Sequence, residues 1–247
     1  MRKVLLFVML LSLFSAPAYS AGRSLTLVTL DWPPYSGQDL KNKGFTSEIV
    51  VASLKSMGYD VTIVFNNNWD EAFQKTKEGK YDGQFPEYYS KEKAPSYHYS
   101  NFFSQSLLVL AKKKTTKLTY KKVSDLVPFK LGLVKGYINT PEIDNATNLK
   151  KVMSDTDEDN LKRLIKNEAD VIVIDKLVAQ YLLKKKFPDA AAGIEFVEPP
   201  LIIQPLFLLL SRVPKDSEQV MKDFNQGLER IKKNGTFDAI MKASGLL

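Results

Sequence analysis

The chain contains no cysteine. Disulfides and thiolate metal sites are therefore excluded, and so is a lipid anchor on an N-terminal cysteine. There is a single histidine, His98, and nowhere do potential ligands recur at metal-binding spacing. No nucleophile-elbow or phosphate-loop motif is present. Beyond the first residues, no apolar stretch reaches the ~20 residues that a membrane-spanning helix needs. Without covalent staples the fold must rest on its apolar core. A mature chain of about 225 residues can bury enough surface for that, in one large domain or two small ones.

The N-terminus has a layout of its own. Arg2 and Lys3 precede an apolar run over residues 4–14, followed by Pro17 and the small residues Ala16, Ala18, Ser20 and Ala21. This is the pattern of a secretory signal peptide, cleaved after Ser20 or Ala21. Export to the periplasm follows as the expectation, with a retained membrane anchor as the alternative. The formal net charge of +7 falls to +5 without Arg2 and Lys3. In an exported protein that excess does not argue for nucleic acid. The lysines are spread along the chain, with short clusters at 112–114 and 184–186, and read as solvated faces, a docking surface for a partner being the other possibility.

The mature sequence then alternates strand and helix. Residues 24–30 carry β-branched and apolar residues in near alternation and predict a strand, ended by the loop Asp31-Trp32-Pro33-Pro34-Tyr35. Apolar residues at 45, 49, 50, 54 and 57 predict a helix over 45–57, with Ser47 as its N-cap and Gly58 as its stop. A strand over 59–65, a helix over 69–78 and a strand over 81–85 follow. This order predicts a parallel sheet with crossover helices. Ligands of such sheets sit at the C-terminal ends of the strands, where Asp31-Trp32 and Glu87-Tyr88 fall.

After an apolar strand at 107–111 and a basic stretch at 112–122, the pattern repeats. Strands are predicted over 130–134, 171–174 and 195–197, and helices from Thr140-Pro141, over 160–168 and over 176–186. Pro199-Pro200 reads as a break before a second apolar strand at 201–211. Two helices flanking Gly235 close the chain. The two apolar strands bracket a self-contained central unit, as in an inserted lobe joined by two crossing segments that form a hinge. A single continuous sheet is the rival arrangement.

The ordered motifs Trp32-Pro33-Pro34-Tyr35, Gly44-Phe45, Trp69-Asp70, Gly79-Lys80-Tyr81-Asp82-Gly83, Tyr99-Ser100-Asn101-Phe102-Phe103, the run from Ala169 to Asp175 and Asn234-Gly235-Thr236 span nearly the whole mature chain. Together they resemble the family 3 extracellular solute-binding proteins, the polar amino-acid receptors of ABC importers, of which this chain looks like a divergent member. The resemblance implies an α/β fold of the two-lobed periplasmic binding protein type (type II), with two crossover hinge strands. The expected organisation is a signal peptide at 1–21, one lobe from 22–110 and 204–247, and a second from 111–203. It also implies a small-molecule ligand, a membrane permease of an ABC importer as partner, a monomeric state, no cofactor and no enzymatic activity.

The expected ligand-binding residues are Asp31, Trp32, Tyr35, Trp69, Glu87, Tyr88, Lys93, Tyr137, Asn139 and Asp175. Trp32 stands where the family places an aromatic against the ligand, and a plug against the sheet is the plainer alternative. Asp175 stands where the family places the acid that binds an ammonium group, and a helix N-cap is its plainer role. The departures bear on the ligand. Where the resemblance implies an Arg that clamps a carboxylate, this chain has Lys93, which lacks the bidentate fork. Tyr88 stands where a small hydroxyl residue is expected, and Gly136 is followed by Tyr137, Ile138 and Asn139 instead of small hydroxyl residues. The expected ligand is an amino acid held differently or another small polar molecule, and Glu87, Asp175 and the aromatics would suit a cation. An enzyme on the same fold, with Glu87, Asp175 or His98 as acid–base groups, and a ligand-sensing partner of a membrane receptor are the alternative functions.

Overall fold

The computed structural model describes residues 23–246, so the expected signal peptide at 1–21 lies outside the described residues. The first half is a βαβαβ unit. Strand β1 (Ser24–Thr29) lies between β2 (Asp60–Phe65) and β3 (Gly83–Glu87), parallel to both. Helices α1 (Phe45–Lys55) and α2 (Trp69–Lys77) make the crossovers. The expected cap of α1 is displaced. Gly44, at φ 93°, holds the N-cap, and Ser47 lies inside the helix with its hydroxyl donating to the Lys43 carbonyl. A Cβ at Gly44 would come within 2.4 Å of the Tyr35 carbonyl oxygen, so the Trp32 loop packs directly on the start of α1.

A short strand β4 (Tyr97–Tyr99) leads into β5 (Ser104–Lys113). The second half comprises β6 (Lys130–Val134), α3 (Pro141–Asp144), β7 (Lys150–Ser154), α4 (Asp157–Ile165), β8 (Val171–Asp175), α5 (Lys176–Lys185) and α6 (Pro188–Ala191). Strand β6 runs parallel to both β7 and β8. Strand β9 (Ile194–Ser211) then returns to the first half, where α7 (Ser217–Lys233) and α8 (Thr236–Ala243) pack on α1. The strand β7, of sequence KKVMS, has neither alternation nor an apolar run, which is why the sequence does not announce it.

The strands form one hydrogen-bonded path, β2-β1-β3-β9-β5-β8-β6-β7, with β4 pairing β9. Its two halves meet along β5 and β9. Residues Ser104 to Leu108 of β5 pair Ile202 to Leu206 of β9, while Leu108 to Lys112 pair β8. Beyond the β5 pairing, β9 pairs β3 and β4. The two expected crossing segments are thus an antiparallel ribbon.

One boundary is corrected. Pro199-Pro200 does not end a strand, because β9 continues through it. Leu108 pairs Ile202 and Leu110 pairs Val197, so two steps on β5 face five on β9. The prolines sit in that bulge, where no ladder hydrogen bond is asked of them.

Burial follows the sheet faces. In β8, Ile172 and Ile174 join the large core that extends through α1, α7 and β9, while Val171 and Val173 join a second core with Leu126, Leu131 and Ile143. A strand covered on both faces needs an unbroken apolar run, which Val171 to Ile174 supply. Gly227 marks the closest helix contact. A Cβ there would lie 2.1 Å from the Ser53 carbonyl oxygen, so α7 and α1 meet backbone to side-chain-free backbone.

Candidate functional site

A cavity of about 300 Å³ opens where the C-terminal ends of β1, β3, β6 and β8 converge. Leu30 and Trp32 follow β1. Pro86 and Glu87 end β3 and Tyr88 follows it, Val134 ends β6, with Gly136 to Asn139 beyond it, and Ile174 and Asp175 end β8. Trp69 and Asp70, at the start of α2, and Lys93 complete the first half's side. Both halves of the molecule therefore contribute lining residues.

The strand ends explain how the polar groups are held. Asp175 stops β8 and caps α5, its Oδ1 accepting from the backbone N–H groups of Leu177 and Val178 at 2.9 and 3.0 Å. Its Oδ2 accepts from the Tyr35 hydroxyl at 2.9 Å, the Ser106 hydroxyl at 2.7 Å and the Leu107 N–H at 3.1 Å. Tyr88 donates to Ser106 at 3.0 Å, which extends the network from β3 through β5 to β8. Burial raises the Asp175 carboxyl above its ordinary value, against these hydrogen bonds, which favour the ionised form. Five donors leave this carboxylate little capacity for a ligand. Asp175 borders the cavity, but its oxygens are committed to the fold.

Glu87 is the second buried carboxylate. Its Oε2 accepts from Lys93 Nζ at 2.9 Å and Gln84 Nε2 at 3.0 Å, and the Trp69 indole N–H lies 3.5 Å from Oε1. The Lys93 ammonium also lies 4.5 Å from the centre of the Phe73 ring. The position expected to clamp a carboxylate is thus already paired inside the protein. Asn139 is similarly engaged, through its side-chain amide and its backbone N–H, by Asp144.

Sequence reasoning missed Asp157. It is the first residue of α4 and is 9% exposed. It lines the cavity, where the Tyr137 hydroxyl donates to its Oδ2 at 3.1 Å. Burial pushes its carboxyl up to about 6; the Tyr137 hydrogen bond opposes that shift and the nearby Asp175 charge adds to it. The expected helix began at residue 160, which left Asp157 in a loop. Thr156 was the available signal: its hydroxyl accepts from the Asp159 N–H, and acidic residues fill the first turn.

Of the ten expected residues, Trp32, Trp69, Glu87, Tyr88, Lys93, Tyr137, Asn139 and Asp175 line this cavity, while Asp31 and Tyr35 do not. Asp31 turns to solvent and holds its own loop, its carboxylate accepting from Gln38 and Asn67 and its backbone N–H donating to Asn67 Oδ1. Slight burial raises its carboxyl, but those hydrogen bonds outweigh it and hold the group below its ordinary value. Tyr35 is fully buried beneath the cavity. Trp32 stacks on it at 4.1 Å between ring centroids and 13° between planes, and Tyr35 in turn reaches Asp175. Trp32 is therefore backed by the loop and also presented to the cavity. His98 lies outside the lining, on β4 beside Arg212 and Glu218.

Comparisons with known proteins agree with this architecture. The profile of the bacterial extracellular solute-binding proteins, family 3, matches residues 25–244. A search of curated proteins finds no match. Among solved structures, the ligand-binding core of GluR0 from Nostoc punctiforme, in complex with L-glutamate, is similar with a TM-score of 0.74 at 17% identity, covering 90% of this chain and 100% of that one. The amino-acid ABC transporter substrate-binding protein AbpA from Streptococcus pneumoniae, bound to L-arginine, gives 0.71 at 18% identity, over 90% and 94% of the two chains. A histidine kinase sensor domain with similarity to periplasmic binding proteins gives 0.72 at 19% identity, over 90% and 95%. At these identities the likeness is one of fold, a two-lobed α/β architecture.

Proposed function

The chain belongs to the bacterial extracellular solute-binding proteins, family 3, and from that premise we propose that it captures a small polar solute in the periplasm and delivers it to the permease of an ABC importer. One observation carries the reading. A cavity lined by Trp32, Trp69 and Glu87 from the first half and by Tyr137 and Asp157 from the second sits beside the ribbon that joins the halves. A solute touching both sides stabilises the closed arrangement by its differential contacts, and the ribbon of β5 and β9 supplies the hinge. In this reading the lobes are residues 22–110 with 204–247, and 111–203. The leader at 1–21 directs export.

The network of Tyr35, Ser106, Tyr88 and Asp175 supports the same reading. It fixes the floor of the cavity at the point where the halves meet, so that a solute meets a preorganised surface and less binding energy goes into ordering side chains. The test is a thermal-shift screen of the purified protein against amino acids, amines, small sugars and organic acids. A ligand bound only by the folded state raises Tm with its concentration. Concentration-dependent stabilisation by one chemical class supports capture. Consumption of an added compound, with product formed, would instead mark an enzyme.

A further inference from the structure

Four carboxylates line the cavity, Asp70, Glu87, Asp157 and Asp175, against one ammonium, that of Lys93. Their partners differ. Asp175 accepts five hydrogen bonds from the protein, and Glu87 holds Lys93 and Gln84. Asp70 is exposed to water. Asp157 alone is both buried and under-supplied. Among the described residues it is paired with no cation, and its one side-chain hydrogen bond comes from Tyr137. A buried carboxylate so placed is costly unless a cation completes it. The cavity it shares is also lined by Trp32, Trp69, Tyr88 and Tyr137, aromatic residues suited to a weakly hydrated cation.

The same inventory disfavours a carboxylate on the solute. No arginine lines the cavity, and Lys93 Nζ is committed to Glu87 at 2.9 Å. A solute carboxylate that took Lys93 would leave Glu87, 7% exposed, buried without its cation. Building on the solute-binding reading above, we propose that the solute is a small organic cation without a carboxylate, an amine, guanidine or quaternary ammonium compound, and that Asp157 is its counter-ion.

Proton linkage gives the proposal a signature. Asp157 faces Asp175 at the end of β8, Tyr137 from the loop after β6 and Tyr88 from the turn after β3, and it shares the cavity with the Glu87–Lys93 pair and with Asp70 at the start of α2. A cation binds the ionised form of Asp157. Affinity is therefore full above the carboxyl's free value of about 6 and falls as pH drops through it, by about tenfold at pH 5.

Calorimetric titration of the purified protein with matched pairs tests this: agmatine against L-arginine, 1,4-diaminobutane against L-ornithine, choline against glycine betaine. The members of each pair differ in the carboxylate. At pH 7.5 the carboxylate-free member of at least one pair is expected to bind at least about tenfold more tightly than its counterpart, with that affinity lost by a similar factor at pH 5. Asp157→Asn, of nearly the same shape, should weaken binding by about tenfold or more and abolish the pH dependence. Tyr137→Phe, which keeps the carboxylate, should retain the pH dependence and so separates loss of charge from loss of fold. Tighter binding of the carboxylated members would overturn the cation proposal and leave solute capture standing. An unchanged affinity in Asp157→Asn would overturn the role of that residue. If no member of any pair binds, the cation inference falls, and a rise in Tm with a sugar or organic acid in the wider thermal-shift screen would leave the solute-binding reading standing.

Discussion

Asp157→Asn should make the unliganded protein more stable. The folded protein holds this carboxyl at about 6, against an ordinary value of 3.8. At about 1.36 kcal/mol per pH unit, its ionisation at neutral pH costs the fold about 3 kcal/mol. The sign follows from proton binding. Between 3.8 and 6 the folded state holds more protons than the unfolded state, so stability falls as pH rises through that window, and the cost is complete above it. An asparagine removes the charge and still accepts the Tyr137 hydroxyl. It gives up the favourable interaction of an acid with the N-terminus of α4, worth about 0.3–1 kcal/mol. The net gain is about 2 kcal/mol at pH 7.5, or roughly 4–8 °C in Tm for a chain of this size. Thermal unfolding followed by circular dichroism at pH 7.5 and pH 4 measures it. The gain should shrink to near zero at pH 4, where the wild-type carboxyl is protonated. A variant less stable than wild type at pH 7.5, or a gain independent of pH, would refute the reasoning. The combination of higher stability with lost binding is what a functional site placed at the fold's expense should give.

Two further substitutions test the supports of the cavity. Tyr35→Phe removes a hydrogen bond to the buried Asp175 carboxylate while keeping the ring under Trp32, and should cost about 1.5–3 kcal/mol, read as a lower urea midpoint with an unchanged slope. Gly227→Ala should lower Tm in spite of alanine's better helix propensity, because the new methyl meets the Ser53 carbonyl and must push α7 from α1 at a cost of about 1–3 kcal/mol; a rise in Tm would show that the contact yields easily.

Much of the fold was legible because its signals are local. The βαβαβ order, the buried run from Val171 to Ile174 and the helices on either side of Gly235 each declare themselves within a few residues, and the structure places them where the pattern predicts. The failures have physical reasons. The cap of α1 fell to Gly44 because the chain must pass close to the Tyr35 carbonyl, a tertiary constraint that outweighs the capping preference of Ser47. The Pro199-Pro200 pair looked like a terminator because a bulge cannot be seen without the partner strand β5.

The site divides in the same way. Aromatics after strand ends could be placed from sequence, and Trp32, Trp69, Tyr88 and Tyr137 do converge. What could not be read was which carboxylates were already paired. Asp175 is committed to the backbone of its own helix and to Tyr35 and Ser106, 140 and 69 residues away in sequence. Glu87 spends Lys93 locally. Only that accounting exposes Asp157 as the buried cavity carboxylate that pairs with no cation among the described residues.

The central claim is that a solute is held in the cavity between the two halves. The chain has two tryptophans, and both line that cavity. Intrinsic tryptophan emission therefore reports on the site without a label. Titrating the protein with the solute that gives the largest rise in Tm should produce a saturable change in emission whose midpoint matches the calorimetric Kd. Stabilisation by a solute with no change in emission at saturation would place the binding site elsewhere and contradict the account.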